Sequence, residues 1–145
     1  MLFLTSTFIG GGHRVVCGNK VEAERTFKVI EKYKVTYMFI APILSYQLTN
    51  FENYQSYNTS SLRVIMAAGT PLSTTQFNKL NTIFPAVDII VCYGQSEVGM
   101  VSLFDTKFDK KFIRTKNKSA GKVVTGITLK VLFLPLKSRL INLHF

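Results

Sequence analysis

Short apolar runs alternate with helix-like segments along the first two thirds of the chain, and this alternation constrains the fold more than any other feature. β-Branched and aromatic residues between turn residues predict strands, and apolar residues at helical spacing predict the helices that join them. The expected strands are 13–17, 35–40, 62–66 and 88–92, and the expected helices are 21–33, 43–49 and 74–84. Because such connections join parallel strands, the pattern predicts an α/β fold with a mostly parallel sheet and flanking helices covering both faces.

Two of the expected helices carry a capping signal at their start. Asn19 stands three residues before Glu22, and Ser73 stands three residues before Gln76. In a capping box, the first side chain accepts a backbone hydrogen bond and the second reaches back to the start of the helix. The second pair therefore predicts a helix that begins at residue 74.

Two turns of unusual composition follow the third and fourth expected strands. The first is "AAGTP" over 67–71, and the second is "YGQSE" over 93–97. Ligands bind beyond the carboxyl ends of the strands in open parallel sheets, so the two turns are expected to share one crevice.

The second turn can be interpreted as a site for a nucleotide with its metal ion. Tyr93 could stack on a base, Gly94 allows close backbone approach, and Ser96 is expected to cap a short helix whose N–H groups attract phosphate. Glu97 suits a phosphate site only if Mg²⁺ lies between the two anions. An ordinary capped helix, with Glu97 favouring its dipole and Tyr93 packed, fits the same residues.

The formal net charge of +10 raises a nucleic-acid alternative. Ten of the 18 basic residues fall between Lys107 and Arg139, where Asp109 is the only acid. No recognised DNA- or RNA-binding motif accompanies them, so a solvated basic face is the favoured interpretation. Cys17 and Cys92 fit no metal spacing and are expected to be reduced core thiols.

Because no targeting signal is recognised in the sequence, the expected location is intracellular and cytoplasmic by default. No run approaches the roughly 20 apolar residues of a membrane helix, and no positive charge precedes the apolar start. The last residues, 142–145, form no peroxisomal tag, although a peroxisomal location suits a longer parent protein.

Three stretches in order carry a family resemblance: "SLRVIMAAGTPLS" (61–73), "FPAVDIIVCYGQSEVG" (84–99) and "SAGKVVTGITLKV" (119–131). They resemble the AMP-forming acyl/aryl-CoA ligases, which include firefly luciferase and the coumarate–CoA ligases. The likeness looks closest to the insect luciferase-like branch. It implies a partial AMP-binding domain over 1–132 and a divergent tail over 133–145.

The resemblance implies an enzyme that joins a carboxylic acid to AMP with Mg-ATP and transfers the acyl group to coenzyme A. It also implies three sets of residues, in which Ser96 replaces a commoner Thr and Ala68 replaces a common Gly. The nucleotide-binding set is Gly69, Thr70, Pro71, Tyr93, Gly94 and Ser96, the catalytic set is Ser96 and Glu97 with Glu97 as the Mg²⁺ ligand, and the acyl-pocket set is Ala67, Ala68 and Gln95.

Several parts of the family pattern are not recognisable in this sequence. They are the Ser/Thr/Gly-rich phosphate loop with its Lys, the Tyr-x-Thr-Gly-Asp ribose segment and the carboxyl-terminal domain with its catalytic Lys. The chain is therefore expected to be an internal piece that needs the rest of its domain as partner and is inactive alone. The alternatives are a catalytically dead nucleotide- or acyl-binding remnant and a basic nucleic-acid-binding protein.

Overall fold

In the part of the chain that the structure describes, a five-stranded mixed sheet carries its helices on one face. The computed structural model describes residues 9–16, 22–70, 72–105 and 119–130. Within these ranges the sheet order is β1-β2-β3-β4-β5. The described elements are α1 (Ala23–Tyr33), β1 (Tyr37–Ile40), α2 (Pro42–Thr49), a 3-10 helix (Glu52–Ser56), β2 (Val64–Ala68), α3 (Thr74–Ile83), β3 (Asp88–Gln95), β4 (Gly99–Asp105) and β5 (Lys122–Val123).

The first three strands form the parallel half of the sheet. Tyr37 of β1 pairs with Val64 of β2, and Val64 pairs with Asp88 of β3. The helices α2 and α3 make the two crossovers between these strands, as parallel pairing requires. The predicted α/β class and the parallel arrangement are confirmed over this half.

The last two strands form an antiparallel half that the sequence pattern did not predict. Strand β4 pairs antiparallel with β3, and β5 pairs antiparallel with β4. The prediction that Tyr93 and Gly94 end the fourth strand was wrong, because β3 continues to Gln95. The last residues of β3 are polar or glycine, so no apolar pattern in the sequence marks them as strand. Backbone pairing holds them in the sheet instead.

The predicted helices are confirmed to within about two residues at each end. Helix α1 begins after Glu22, whose side chain makes no capping hydrogen bond, and Asn19 lies outside the described residues. Helix α2 begins one residue earlier than expected, at Pro42, because proline suits the first turn of a helix. Of the expected first strand, residues 13–16 lie in no strand and Cys17 lies outside the described residues.

The Ser73 capping box is present in full. The Gln76 backbone N–H donates to Ser73 Oγ at 3.2 Å, and the Ser73 backbone N–H donates to Gln76 Oε1 at 3.1 Å. This reciprocal pair fixes the start of α3 at Thr74, as the sequence predicted.

The main hydrophobic core lies between the three helices and one face of the parallel strands. Its centre is Phe27, which is fully buried. The Phe27 ring centroid lies 5.3 Å from that of Phe51 and 5.7 Å from those of Tyr57 and Phe84. The segment 50–60, which joins α2 to β2, therefore contributes two aromatic rings to the core. The strand residues in this core are Met38, Ile40, Ile65, Ala67 and Ile89.

The opposite face of the sheet carries a smaller cluster around Tyr37. Tyr37 and Phe39 are 42% and 43% exposed there, and the described helices all pack on the other face. The Tyr37 hydroxyl donates to Met66 Sδ at 3.0 Å. Burial raises the pKa of Tyr37 to about 12, and the charge of Cys92 acts in the same direction. Burial also raises the pKa of the Cys92 thiol, which is free, as predicted.

Among the helices that the structure describes, none is both long and apolar enough to cross a bilayer.

Candidate functional site

The two turns singled out from the sequence meet at one edge of the sheet. Ala67 pairs with Val91 and Ala68 pairs with Cys92 in the parallel register. Gly69 therefore leaves β2 beside Tyr93 on β3, with the two strands about 4.8 Å apart. The two turns thus follow neighbouring parallel strands at their carboxyl ends, and the crevice expected between them stays a prediction.

The first turn is shorter than expected, because Ala67 and Ala68 are the last residues of β2 rather than part of the turn. Ala67 is only 3% exposed and belongs to the main core. Successive strand residues point to opposite faces, so Ala68 faces the other side of the sheet. The two alanines therefore do not line one surface together, and their acyl-pocket role stays a prediction.

Gly69 makes the turn that leads from β2 toward α3. Its φ is +101°, a region that side chains with a Cβ rarely adopt. A Cβ at Gly69 would lie 3.4 Å from Cδ of Pro42, the first residue of α2. Thr70 is exposed at the same edge, and Pro71 lies outside the described residues. The Gly69 and Thr70 peptide groups thus border the edge where α2 begins.

The second turn is a β-hairpin. Residues 96–98 connect β3 to β4, and the Val98 N–H donates to the Gln95 carbonyl at 3.3 Å. Gly99 follows with a φ of +74°, which closes a three-residue hairpin loop. The expectation that Ser96 caps a helix was therefore wrong, and with it the expected helix N-terminus for phosphate. The left-handed residue at position 99 returns the chain antiparallel to β3 instead.

Gly94 is required by the hairpin itself. A Cβ at this position would overlap the carbonyl oxygen of Gly99 and lie 3.1 Å from the Met100 Cα. The register of β3 on β4 shifts between Tyr93 and Gly94, which brings the two backbones close. The sequence suggested close approach of a ligand, whereas the structure shows close approach of the neighbouring strand.

Tyr93 and Gln95 form a pair that the sequence did not predict. The Gln95 Nε2 donates a hydrogen bond to the Tyr93 Oη at 2.9 Å. Side chains two residues apart lie on the same side of a strand, and this spacing is the sequence signal that could have revealed the pair. Tyr93 is 38% exposed, so its ring is available to a ligand rather than packed away.

Ser96 and Glu97 are exposed on the hairpin turn, one residue apart. They put a hydroxyl and a carboxylate on the turn that directly follows β3. In the part of the chain that the structure describes, no group of three His, Cys, Asp or Glu side chains could hold a metal ion by itself. A single exposed carboxylate is still a suitable ligand for Mg²⁺ when phosphate and water supply the other oxygens.

Hydrogen bonds join the segment 119–123 to the outer edge of β4. The Ser102 hydroxyl donates to the Ala120 carbonyl at 3.0 Å, and the Gly121 N–H donates to Ser119 Oγ at 3.1 Å. Gly121 has a φ of +91°, and a Cβ there would overlap the Leu103 carbonyl oxygen. This segment therefore supports the strand that carries the hairpin. The basic run is not described over 106–118 and 131–145.

The chain matches a family model described as AMP-binding enzyme over residues 1–134. Among curated proteins, it is 31% identical over 121 residues to 4-coumarate-CoA ligase 1 from Narcissus pseudonarcissus, covering 83% of this chain and 22% of that protein. It is 30% identical over 123 residues to 4-coumarate–CoA ligase 3 from Arabidopsis thaliana, covering 85% and 22%. The chain spans about a fifth of the length of these relatives.

Solved structures show the same fold. The luciferase-like enzyme from the nonluminescent mealworm Zophobas morio is 46% identical with a TM-score of 0.74, covering 83% of this chain and 29% of that one. The anthranilate CoA ligase AuaEII, solved with anthranoyl-AMP, is 22% identical with a TM-score of 0.72, covering 85% and 23%. At that identity the second likeness concerns the fold alone. The boundary expected at residue 132 stays a prediction.

Proposed function

Because the chain belongs to the AMP-binding enzyme family, we propose that it supplies the nucleotide-binding edge of an AMP-forming acid–thiol ligase. The observation that carries this proposal is the parallel register of Ala68 with Cys92, which brings Gly69 and Tyr93 to one edge. Such an edge is where ligands bind in open α/β sheets. Since the chain spans about a fifth of its curated relatives, the complete reaction is proposed for a protein that contains these residues.

The adenine base would stack on the Tyr93 ring. This ring is 38% exposed and stands beside the peptide groups of Gly69 and Thr70, which are exposed at the same edge. A phenol ring offers a flat face to any base, and stacking of this kind contributes about 1–3 kcal/mol per base. The neighbouring backbone groups can add hydrogen bonds to the edge of the base.

The phosphate would lie over the hairpin turn. The Ser96 hydroxyl can donate a hydrogen bond to an α-phosphate oxygen. Glu97 would hold Mg²⁺, which neutralises phosphate charge when bound, because one carboxylate plus phosphate oxygens is a donor set that this ion accepts. The exposure of both side chains on the turn supports this arrangement.

In the reaction, an oxygen of the acid attacks the α-phosphorus of ATP and pyrophosphate leaves. The thiol sulfur of coenzyme A then attacks the acyl carbon, and AMP leaves. The residues of this chain act by orientation: Tyr93 fixes the nucleoside and Ser96 stabilises charge on the α-phosphate, as phosphoryl-transfer catalysis requires. The acyl-pocket role of Ala67, Ala68 and Gln95 rests on the family resemblance alone, since Ala67 lies in the core and Ala68 faces the other side of the sheet.

Two measurements test this proposal. The first is calorimetric titration of the chain with AMP. Replacing Tyr93 by Ala should weaken AMP binding at least about tenfold, the loss of one stacked base. Unchanged affinity in the Tyr93→Ala variant would remove the ring from the site.

The second measurement is ATP–pyrophosphate exchange with a panel of aromatic and aliphatic acids, in a longer protein that contains these residues. Glu97→Gln should reduce exchange about a hundredfold while leaving the unfolding midpoint unchanged, because only metal placement is lost. Wild-type exchange in that variant would contradict the metal assignment.

The nucleic-acid alternative is not favoured by the family match. It would require DNA binding that weakens steeply with salt and disappears when Lys110, Lys111 and Arg114 are neutralised together. These three residues lie outside the described part of the chain.

A further inference from the structure

Two contacts at the end of β3 constrain Tyr93, one on its backbone and one on its hydroxyl. Below it, the register shift between Tyr93 and Gly94 fixes the backbone against β4. Above it, the Gln95 amide donates to the Tyr93 hydroxyl at 2.9 Å. Gln95 itself is anchored, because its backbone pairs with Gly99 across the hairpin. The amide group therefore belongs to a residue whose backbone is paired in a strand, rather than to a loop residue.

We propose that Gln95 is a positioning residue for the nucleotide, acting through the Tyr93 hydroxyl. The Tyr93 hydroxyl oxygen can accept a hydrogen bond, so a donor carried by a paired strand residue favours one orientation of the ring. A ring oriented before the ligand arrives loses less freedom on binding than a free one does. Gln95 thereby sets the affinity of the proposed nucleotide site, and this inference rests on that proposed function.

This role differs from the acyl-pocket role that the family resemblance implies. A residue that only borders the acyl group changes the choice of acid and leaves the binding of free AMP alone. A residue that holds Tyr93 changes AMP binding in the absence of any acid. The two roles are therefore separated by one ligand, AMP alone.

The test is a double-substitution cycle on the 145-residue chain. Gln95→Leu removes the donor and suits a strand, Tyr93→Phe removes the hydroxyl and keeps the ring, and a third variant carries both changes. AMP affinity is measured by calorimetry. Each single change should weaken binding about threefold to tenfold, the range of one hydrogen bond, and the double variant should be no weaker than either.

A second readout follows the hydroxyl contact without ligand. The chain has six tyrosines, so ¹³C labelling of tyrosine Cζ gives few resonances, and Tyr93→Phe identifies the one from Tyr93. Gln95→Leu should shift that resonance. The matched control is Gln55→Leu, the same change at an exposed glutamine of the 3-10 helix, which should alter neither readout.

The outcomes separate the inference from the proposed function. If Tyr93→Ala weakens AMP binding but Gln95→Leu does not, the positioning role is overturned and the nucleotide site stands. Additive effects of the two single changes, or a Tyr93 resonance unmoved by Gln95→Leu, would also overturn the positioning role. If Tyr93→Ala leaves AMP binding unchanged, the proposed nucleotide site is overturned, and the positioning role falls with it.

Discussion

The turns after β2 and β3 have similar sequences and opposite structures. Each follows an apolar strand, and each presents a glycine and then a serine within a few residues. After β2 the chain enters a helix whose first turn is capped by Ser73. After β3 it turns back at Ser96 and pairs antiparallel with the strand it has just left.

The residue three positions after the serine makes the difference. Gln76 returns a hydrogen bond to Ser73, so the helix start is held from both sides. The matching position after Ser96 is Gly99, which has no side chain to return and adopts a φ of +74°. A serine therefore marks a helix start only when the residue three positions later can return its hydrogen bond. A glycine at that position favours a hairpin.

The largest expected loss of stability comes from adding a methyl group at Gly94, where the backbones of β3 and β4 lie close together. Gly94→Ala should destabilise the chain by about 3 kcal/mol, because the new methyl group meets backbone atoms of Gly99 and Met100 that cannot turn aside. Urea unfolding followed by circular dichroism measures the change. The control is Gly126→Ala, where nothing lies within 4 Å and only a φ of +90° is strained, at about 1 kcal/mol. Equal losses at both glycines would contradict the close approach of β3 and β4.

An intermediate effect is expected from copying the first turn into the second. Gly99→Gln recreates the Ser-x-x-Gln spacing of 73–76 at 96–99. The account predicts no new helix and a loss of about 1–2 kcal/mol, because glutamine is strained at this φ. Gly99→Asn should lose less, since asparagine tolerates the left-handed region. A gain of helical signal in the glutamine variant would show that the local box outweighs strand pairing.

The smallest expected loss of stability comes from replacing the two serines, Ser73 and Ser96, one at a time. Ser73→Ala should cost about 1 kcal/mol through loss of a helix cap. Ser96→Ala should change the unfolding midpoint little, because Ser96 is exposed on a hairpin turn and begins no helix. Similar losses at both positions would contradict the distinction between the turns.

The sequence predicted the parallel half of the fold because its signals are local. The apolar runs 35–40, 62–66 and 88–92 and the Ser73–Gln76 pair each act within a few residues, and each matches an element that the structure describes. The shared edge of the two turns also followed, because parallel strands end on the same side.

The antiparallel half was not predicted because its determinants are close contacts between strand backbones, which no apolar pattern or cap in the sequence marks. Gly121 is needed where its backbone approaches Leu103, and Gly94 is needed where its backbone approaches Gly99. In sequence these glycines resemble ordinary turn residues or ligand contacts. The hydrogen bond from Gln95 to Tyr93 was missed for a related reason, since it depends on β3 extending past Tyr93.

The central claim is that the edge formed by the ends of β2 and β3 binds a nucleotide. Titration of the ¹⁵N-labelled chain with AMP and Mg²⁺, followed by amide resonances, tests it most directly. The largest shifts should fall at residues 69–70 and 93–97, and Tyr93→Ala should abolish them. Shifts concentrated elsewhere, such as around Phe27 and Tyr57 in the main core, or no saturable shifts at all, would contradict it.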